Sequence, residues 1–222
     1  MNKEIDPFTR TPGIAGKAYI DNGIADEILT NFCDDDSAKM VYKITGLRGS
    51  GKSVEYSKVI RTLKEDKKWL VYPLSVSGNV VSTLISKLSM EKFIDSDFSK
   101  LEISSTTSVG GSAFVVKGDE AISVKKTTQK DEHYYSEEAI LVNMITAANK
   151  KGFKVLIGID DISKTPDVVN LLSMIDSMIL EGLKIYLIVT GLTENIEEFS
   201  SVDNLTFFKR SDSKEIKTLV WK

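Results

Sequence analysis

The stretch "GLRGSGKS", Gly46 to Ser53, constrains what this chain can fold into more than any other. It fits the pattern G-x-x-x-x-G-K-[ST], a loop that cradles phosphate when it joins a strand to a helix. That context is present here. "KMVYKIT", 39–45, is a short apolar strand ended by Gly46. Beyond the loop, Tyr56, Val59, Ile60 and Leu63 recur at helical spacing.

The alternation continues along the chain. "KWLVYPLSV" (68–76), "KVLIGIDD" (154–161), "KIYLIVTG" (184–191) and "NLTFFKR" (204–210) read as strands. Pro73 marks the first of these as an edge strand or a strand end, because proline cannot donate to a ladder. Helices are expected at about 19–33, in "VVSTLISKLSM", at about 135–150, and between the second and third of these strands. The last of these has Thr165 as N-cap, Pro166 at its first position and Gly182 just past its end. "TENIEEFS" reads as a short helix. Continuous apolar strands alternating with helices are the mark of a parallel sheet covered on both faces. The segment from about 93 to 133 breaks the pattern. It is polar and glycine-rich and reads as an insertion, with a hairpin pairing 113–116 and 121–124 around "KGDE". The nucleotide-binding core is expected over 1–210, with 211–222 as a tail.

Bulk properties narrow the class. The chain has 222 residues, 41% hydrophobic and 27% charged, which is ordinary for a globular domain. Its net charge of −3 gives no general affinity for polyanions. One cysteine, Cys33, excludes an internal disulfide framework and fits a reducing compartment. No apolar run reaches the roughly 20 residues needed to span a bilayer, and the N-terminus lacks a signal-peptide core. A soluble cytoplasmic protein is expected. One cysteine and one histidine, His133, argue against zinc.

The candidate site follows from chemistry. The cofactor-binding stretch is expected to be Gly46, Leu47, Arg48, Gly49, Ser50, Gly51, Lys52, Ser53 and Val54, with the amides of roughly Gly49 to Ser53 donating to phosphate oxygens. Lys52 is placed to reach the β- and γ-phosphates, and the Ser53 hydroxyl to ligate Mg²⁺. Asp160 follows an apolar strand, at the carboxyl end where such sheets bind ligands, and is expected to hold the same Mg²⁺. Asp161 is the candidate to polarise an attacking water, one methylene shorter than the glutamate common in that role. Thr190 is expected to point at the γ-phosphate or at that water. Arg48 and Arg210 are weaker candidates for phosphate contact, Arg210 from a second copy.

The set "KITGLRGSGKS … KVLIGIDDI … IYLIVTGLTENI … NLTFFKR" resembles bacterial and archaeal AAA+ ATPases related to origin-recognition proteins. "PGIAGKAYIDNGIADEI" is similar to the segment those proteins pack near adenine, with Gly16 and Lys17 where the family has Gly-Arg. The resemblance implies a three-layer αβα P-loop NTPase with a five-stranded parallel sheet in the order 5-1-4-3-2. It implies ATP or ADP and Mg²⁺ as cofactors. It also implies a C-terminal region missing here, a helical lid and a DNA-binding winged helix.

ATP hydrolysis used as a conformational switch is thus the leading expectation. A nucleotide-dependent interaction or DNA-associated scaffold module with little turnover is the alternative. Expected partners are nucleotide, a second copy of the chain, and DNA or a protein client through the missing region. A small-molecule kinase lacks its arginine-rich lid here. A GTPase lacks its base-reading motif, since "NKKG" at 149–152 has no acidic fourth residue.

Overall fold

The computed structural model describes residues 14, 21–92, 94 and 136–217. The inserted segment apart from Ile94, its hairpin, His133, Gly16 and Lys17 lie outside them. Five parallel strands form one sheet: β1 (Val41–Gly46), β2 (Trp69–Leu74), β3 (Lys154–Ile159), β4 (Ile185–Gly191) and β5 (Asp212–Ile216). Their spatial order is β2-β3-β4-β1-β5, the order the resemblance implies. β2 is an edge strand, so Pro73 withholds no hydrogen bond that a further strand needs.

Strand alternation sorts the side chains into two cores. Val155, Ile157 and Ile159 of β3, with Ile185, Leu187 and Val189 of β4, face one layer of helices. That layer contains α3 (Val80–Leu88), α4 (Glu137–Lys150) and α5 (Pro166–Leu180). Tyr42, Ile44, Leu156, Tyr186 and Ile188 face the other layer, α1 (Ile24–Cys33) and α2 (Lys52–Glu65). Burial on both faces is why these strands are apolar throughout.

The helix termini follow their local signals. Thr165 Oγ1 accepts from the Val168 amide at 3.3 Å, and Pro166 opens α5. Gly182, at φ 79°, turns the chain away after it. Asn79 caps α3 and Ser136 caps α4 in the same way. α1 begins at Ile24, later than expected, behind Gly23 at φ 74°. Its cap comes from elsewhere. The Ala25 amide donates to Glu55 of α2 at 2.7 Å, with both residues fully buried.

One expected element is wrong. "NLTFFKR" is no strand: Thr206–Arg210 forms a helix, α7, after α6 (Thr193–Glu197) and a 3-10 turn at Glu198–Ser201. The sheet's last strand is β5, in what reads from sequence as a tail. Two buried charged side chains meet the ends of this helix. Asp176, 5% exposed on α5, accepts from the Phe207 amide at 3.0 Å at the start of α7. Lys43 of β1, also buried, donates to the Phe208 carbonyl at 2.8 Å near its end. A carboxylate at the N-terminus and an ammonium at the C-terminus both complement a helix dipole and satisfy groups a five-residue helix leaves orphaned. Burial pushes the Asp176 carboxyl up, and the amides of Phe207, Phe208 and Thr206 pull it back.

At Gly158 the backbone of β3 comes close to α2. A Cβ there would lie 2.6 Å from Tyr56 Oη and 2.8 Å from Ile60 Cδ1, both on α2. Two predictions follow from these contacts. Gly158→Ala should cost about 1–3 kcal/mol in urea denaturation, as overpacking does, and Tyr56→Phe in the same chain should recover part of it. Additive effects of the two changes would show that this contact is not the source. Asp176→Ala should cost about 1–3 kcal/mol by leaving α7 amides without an acceptor, measured by the same denaturation, whereas a change within experimental error would remove the electrostatic account of α7.

Candidate nucleotide site

The phosphate loop occupies the carboxyl end of β1, as its sequence requires. Glycine is needed at its first position. Gly46 has φ 149°, and a Cβ on it would lie 2.8 Å from both the Ile216 carbonyl and Ser50 Oγ. Gly51, at φ 100°, stands at the N-cap of α2 without a side-chain cap. The amides of Lys52 and Ser53 therefore open the helix without intrahelical acceptors, a fitting place for an anion. Leu47, Arg48 and Gly49 form the exposed tip of the loop, and Ser50 closes a turn by donating its amide to the Leu47 carbonyl at 3.2 Å.

Lys52 folds back over the loop. Its Nζ donates to the Gly46 carbonyl at 2.9 Å and the Leu47 carbonyl at 2.8 Å. Burial draws its pKa below the ordinary lysine value, while Asp161 and Asp160 act in the opposite direction. Both carboxylates are thus close enough for their charge to be felt at the loop.

Asp160 ties three elements together. It directly follows β3, and strand parity puts it on the same side as Gly158, facing α2. One of its carboxylate oxygens accepts from Ser53 Oγ of α2 at 3.1 Å and from Thr190 Oγ1 of β4. Thr190, 1% exposed, also accepts the Asp161 amide at 2.9 Å through the same hydroxyl. Its carbonyl receives the Ile162 amide at 2.7 Å. The Thr190 hydroxyl is therefore engaged with the acidic pair. Its contribution in this geometry is to hold Asp160 and the turn after it.

Asp161 adopts φ 55°, a left-handed conformation that aspartate tolerates better than most residues, and it is exposed. Sequence reading brought Lys52, Ser53, Asp160, Asp161 and Thr190 to one place, and the structure collects them there. Arg210 is not among them. It ends α7 beside Lys39 and Asp212, where the strands begin, at the end of the sheet away from the loop.

The donor set fits a hard cation. Ser53 and Asp160 offer one hydroxyl and one carboxylate at hydrogen-bond distance, and Mg²⁺ favours few protein oxygens with water and phosphate completing its shell. No group of three or more His, Cys, Asp or Glu side chains suited to a metal occurs among the described residues. A site completed by phosphate does not need one.

Two supporting residues escaped the sequence reading. Glu55 lies among the buried positions of α2, where a charge needs a partner, and that partner is the start of α1. The Tyr56 side chain occupies the space beside Gly158, two residues before Asp160; the isolated glycine inside an apolar strand was the available signal. Burial first, and Asp160 second, raise the Tyr56 hydroxyl pKa.

No family model and no curated protein sequence matches the chain. Solved structures do. The ORC1 protein of Aeropyrum pernix, in complex with DNA, matches with a TM-score of 0.50 and 13% identity over 89% of this chain and 44% of that one. The ORC2 protein of Aeropyrum pernix, in ADPNP–ADP complexes, matches with a TM-score of 0.50 and 11% identity over 90% and 50%. The chain thus spans about half the length of the proteins it matches. Over that span it has the three-layer α/β P-loop fold of these two Aeropyrum pernix proteins.

Proposed function

We propose that this chain is an AAA+-type ATP-binding domain that hydrolyses ATP with Mg²⁺ and uses the nucleotide state as a conformational switch. The observation that carries the reading is the single Asp160 oxygen shared by Ser53 and Thr190, next to a loop spanned by Lys52. The loop amides and the start of α2 receive phosphate oxygens. Lys52 exchanges its two carbonyl acceptors for the β- and γ-phosphates. Ser53 and Asp160 are the residues that would hold Mg²⁺, which when bound neutralises charge developing on the phosphates. Asp161 orients the attacking water and takes its proton. Thr190 fixes the turn that aims Asp161.

The low-turnover alternative also has an observation in its favour. Asp161 is short and exposed, and Arg210 stands at the far end of the sheet. Within this reading Arg210 acts, if at all, on the site of a second copy, and Arg48 is the arginine of the loop itself. A cytoplasmic setting, and DNA or a protein client engaged through a further C-terminal region, belong to the same proposal. No described helix is long and apolar enough to cross a membrane.

Thermal-shift measurements test the site. ATP with Mg²⁺ at about 100 times its Kd should stabilise the chain by about 2.7 kcal/mol. Lys52→Ala should lose most of that, and equal protection of both proteins would move the site elsewhere. Asp160→Asn should retain magnesium-free nucleotide protection and lose the increment that Mg²⁺ adds. Turnover separates the two functions. Asp161→Asn should lower ADP release at least about 100-fold, in line with general-base catalysis, while nucleotide protection persists. Release at the same rate in wild type and Asp161→Asn would leave the interaction-module reading standing.

A further inference from the structure

Where the strands begin, opposite the phosphate loop, the fold has a cleft of about 510 Å³. Lys68, Lys150, Lys154 and Lys184 line it, and Asp35 is the only acidic residue among the described residues that do so. This concentration of positive charge stands out in a chain whose net charge is −3. Helix dipoles explain part of it, since Lys150 ends α4. They do not explain Lys68, Lys154 and Lys184, which stand at or just before the starts of β2, β3 and β4.

Lys154 is the built part of the cleft. Its side chain is only 10% exposed. The Nζ donates to the Phe32 carbonyl at 3.1 Å and lies 5.3 Å from the Trp69 ring centre and 5.7 Å from that of Tyr186. A buried ammonium is costly unless an anion meets it. The anion here is Asp35, on the loop after α1. Its side chain is 71% exposed, yet one carboxylate oxygen lies 2.8 Å from Lys154 Nζ and 3.8 Å from Lys184 Nζ. Lys154, Lys184 and Lys68 together hold the Asp35 carboxyl below the usual aspartate range. A surface carboxylate thus sits between Lys154 and Lys184, the one acidic side chain against four lysines among the described lining residues.

We propose that this cleft is a second anion site, for a small compound carrying two or more phosphate groups, with Asp35 as its tethered competitor. The volume is that of a small-molecule pocket, about 300–1,000 Å³. Lysines act as point charges toward phosphate. The described lining residues include no aromatic ring on which bases stack, which favours a compact polyphosphate over a nucleic-acid strand. The inference does not depend on the phosphate loop.

Calorimetry with inorganic tripolyphosphate tests it, using Lys52→Ala as the parent so that the loop contributes little. The parent should bind, more weakly as salt rises. Lys150→Ala with Lys184→Ala, both exposed positions, should weaken binding about tenfold or more, and Asp35→Asn should strengthen it by about threefold or more, as removal of a nearby charge does. Melting curves of each variant confirm folding before titration. No binding by the folded parent overturns the proposal, as does binding that the double lysine variant leaves unchanged. Affinity that fails to rise in Asp35→Asn makes the aspartate a structural latch and overturns its competitor role. Binding of oligothymidylate without binding of tripolyphosphate would replace this ligand class with nucleic acid.

Discussion

One carboxylate oxygen organises the business end of this molecule. Asp160 stands after β3, receives a hydroxyl from α2 and another from β4, and so pins three elements that are far apart in sequence. Each contact is a charge-assisted hydrogen bond, stronger than one between neutral partners. The sheet must be parallel for this to happen. Only then do the ends of β1, β3 and β4 lie on the same side, with Ile44 level with Thr190 and Ile159 level with Val189. Tyr56 and Gly158 then fill the space behind, so the carboxylate has a packed floor.

The elements that position the site were legible because their signals are local. Strands buried on both faces must be apolar, and a glycine loop between strand and helix has one common use. The caps of α5 could be named from Thr165, Pro166 and Gly182 for the same reason. The ending of the chain was not legible. "LTFF" has strand-like composition, and its helical state depends on Asp176 and Lys43, residues 31 and 165 positions away in their contacts. β5 alternates half-exposed and exposed residues until Ile216, so no apolar run announces it. As an edge strand it is held by backbone pairing to β1 and by ion pairs, Lys39 with Asp212 and Lys214 with Glu27. The general lesson is physical: buried strands write themselves into composition, and polar edge strands do not.

Within the site, residue identity was easier to read than residue duty. Thr190 stood out as a polar group at the end of an apolar strand, which suggests a group aimed at the ligand. Its hydroxyl accepts the Asp161 amide and donates to the Asp160 carboxylate. A strand position fixes which side a side chain takes. It does not fix which of several partners wins the hydrogen bond.

The pairing of Gly46 with Ile216 has a mechanical consequence. The first residue of the phosphate loop and the last residue of the edge strand share a register, and the Ile216 carbonyl occupies the space a side chain on Gly46 would need. Any side chain placed at Gly46 has to displace that carbonyl. The first loop residue and the end of β5 are thereby coupled through a single rung of the sheet, without crossing either core.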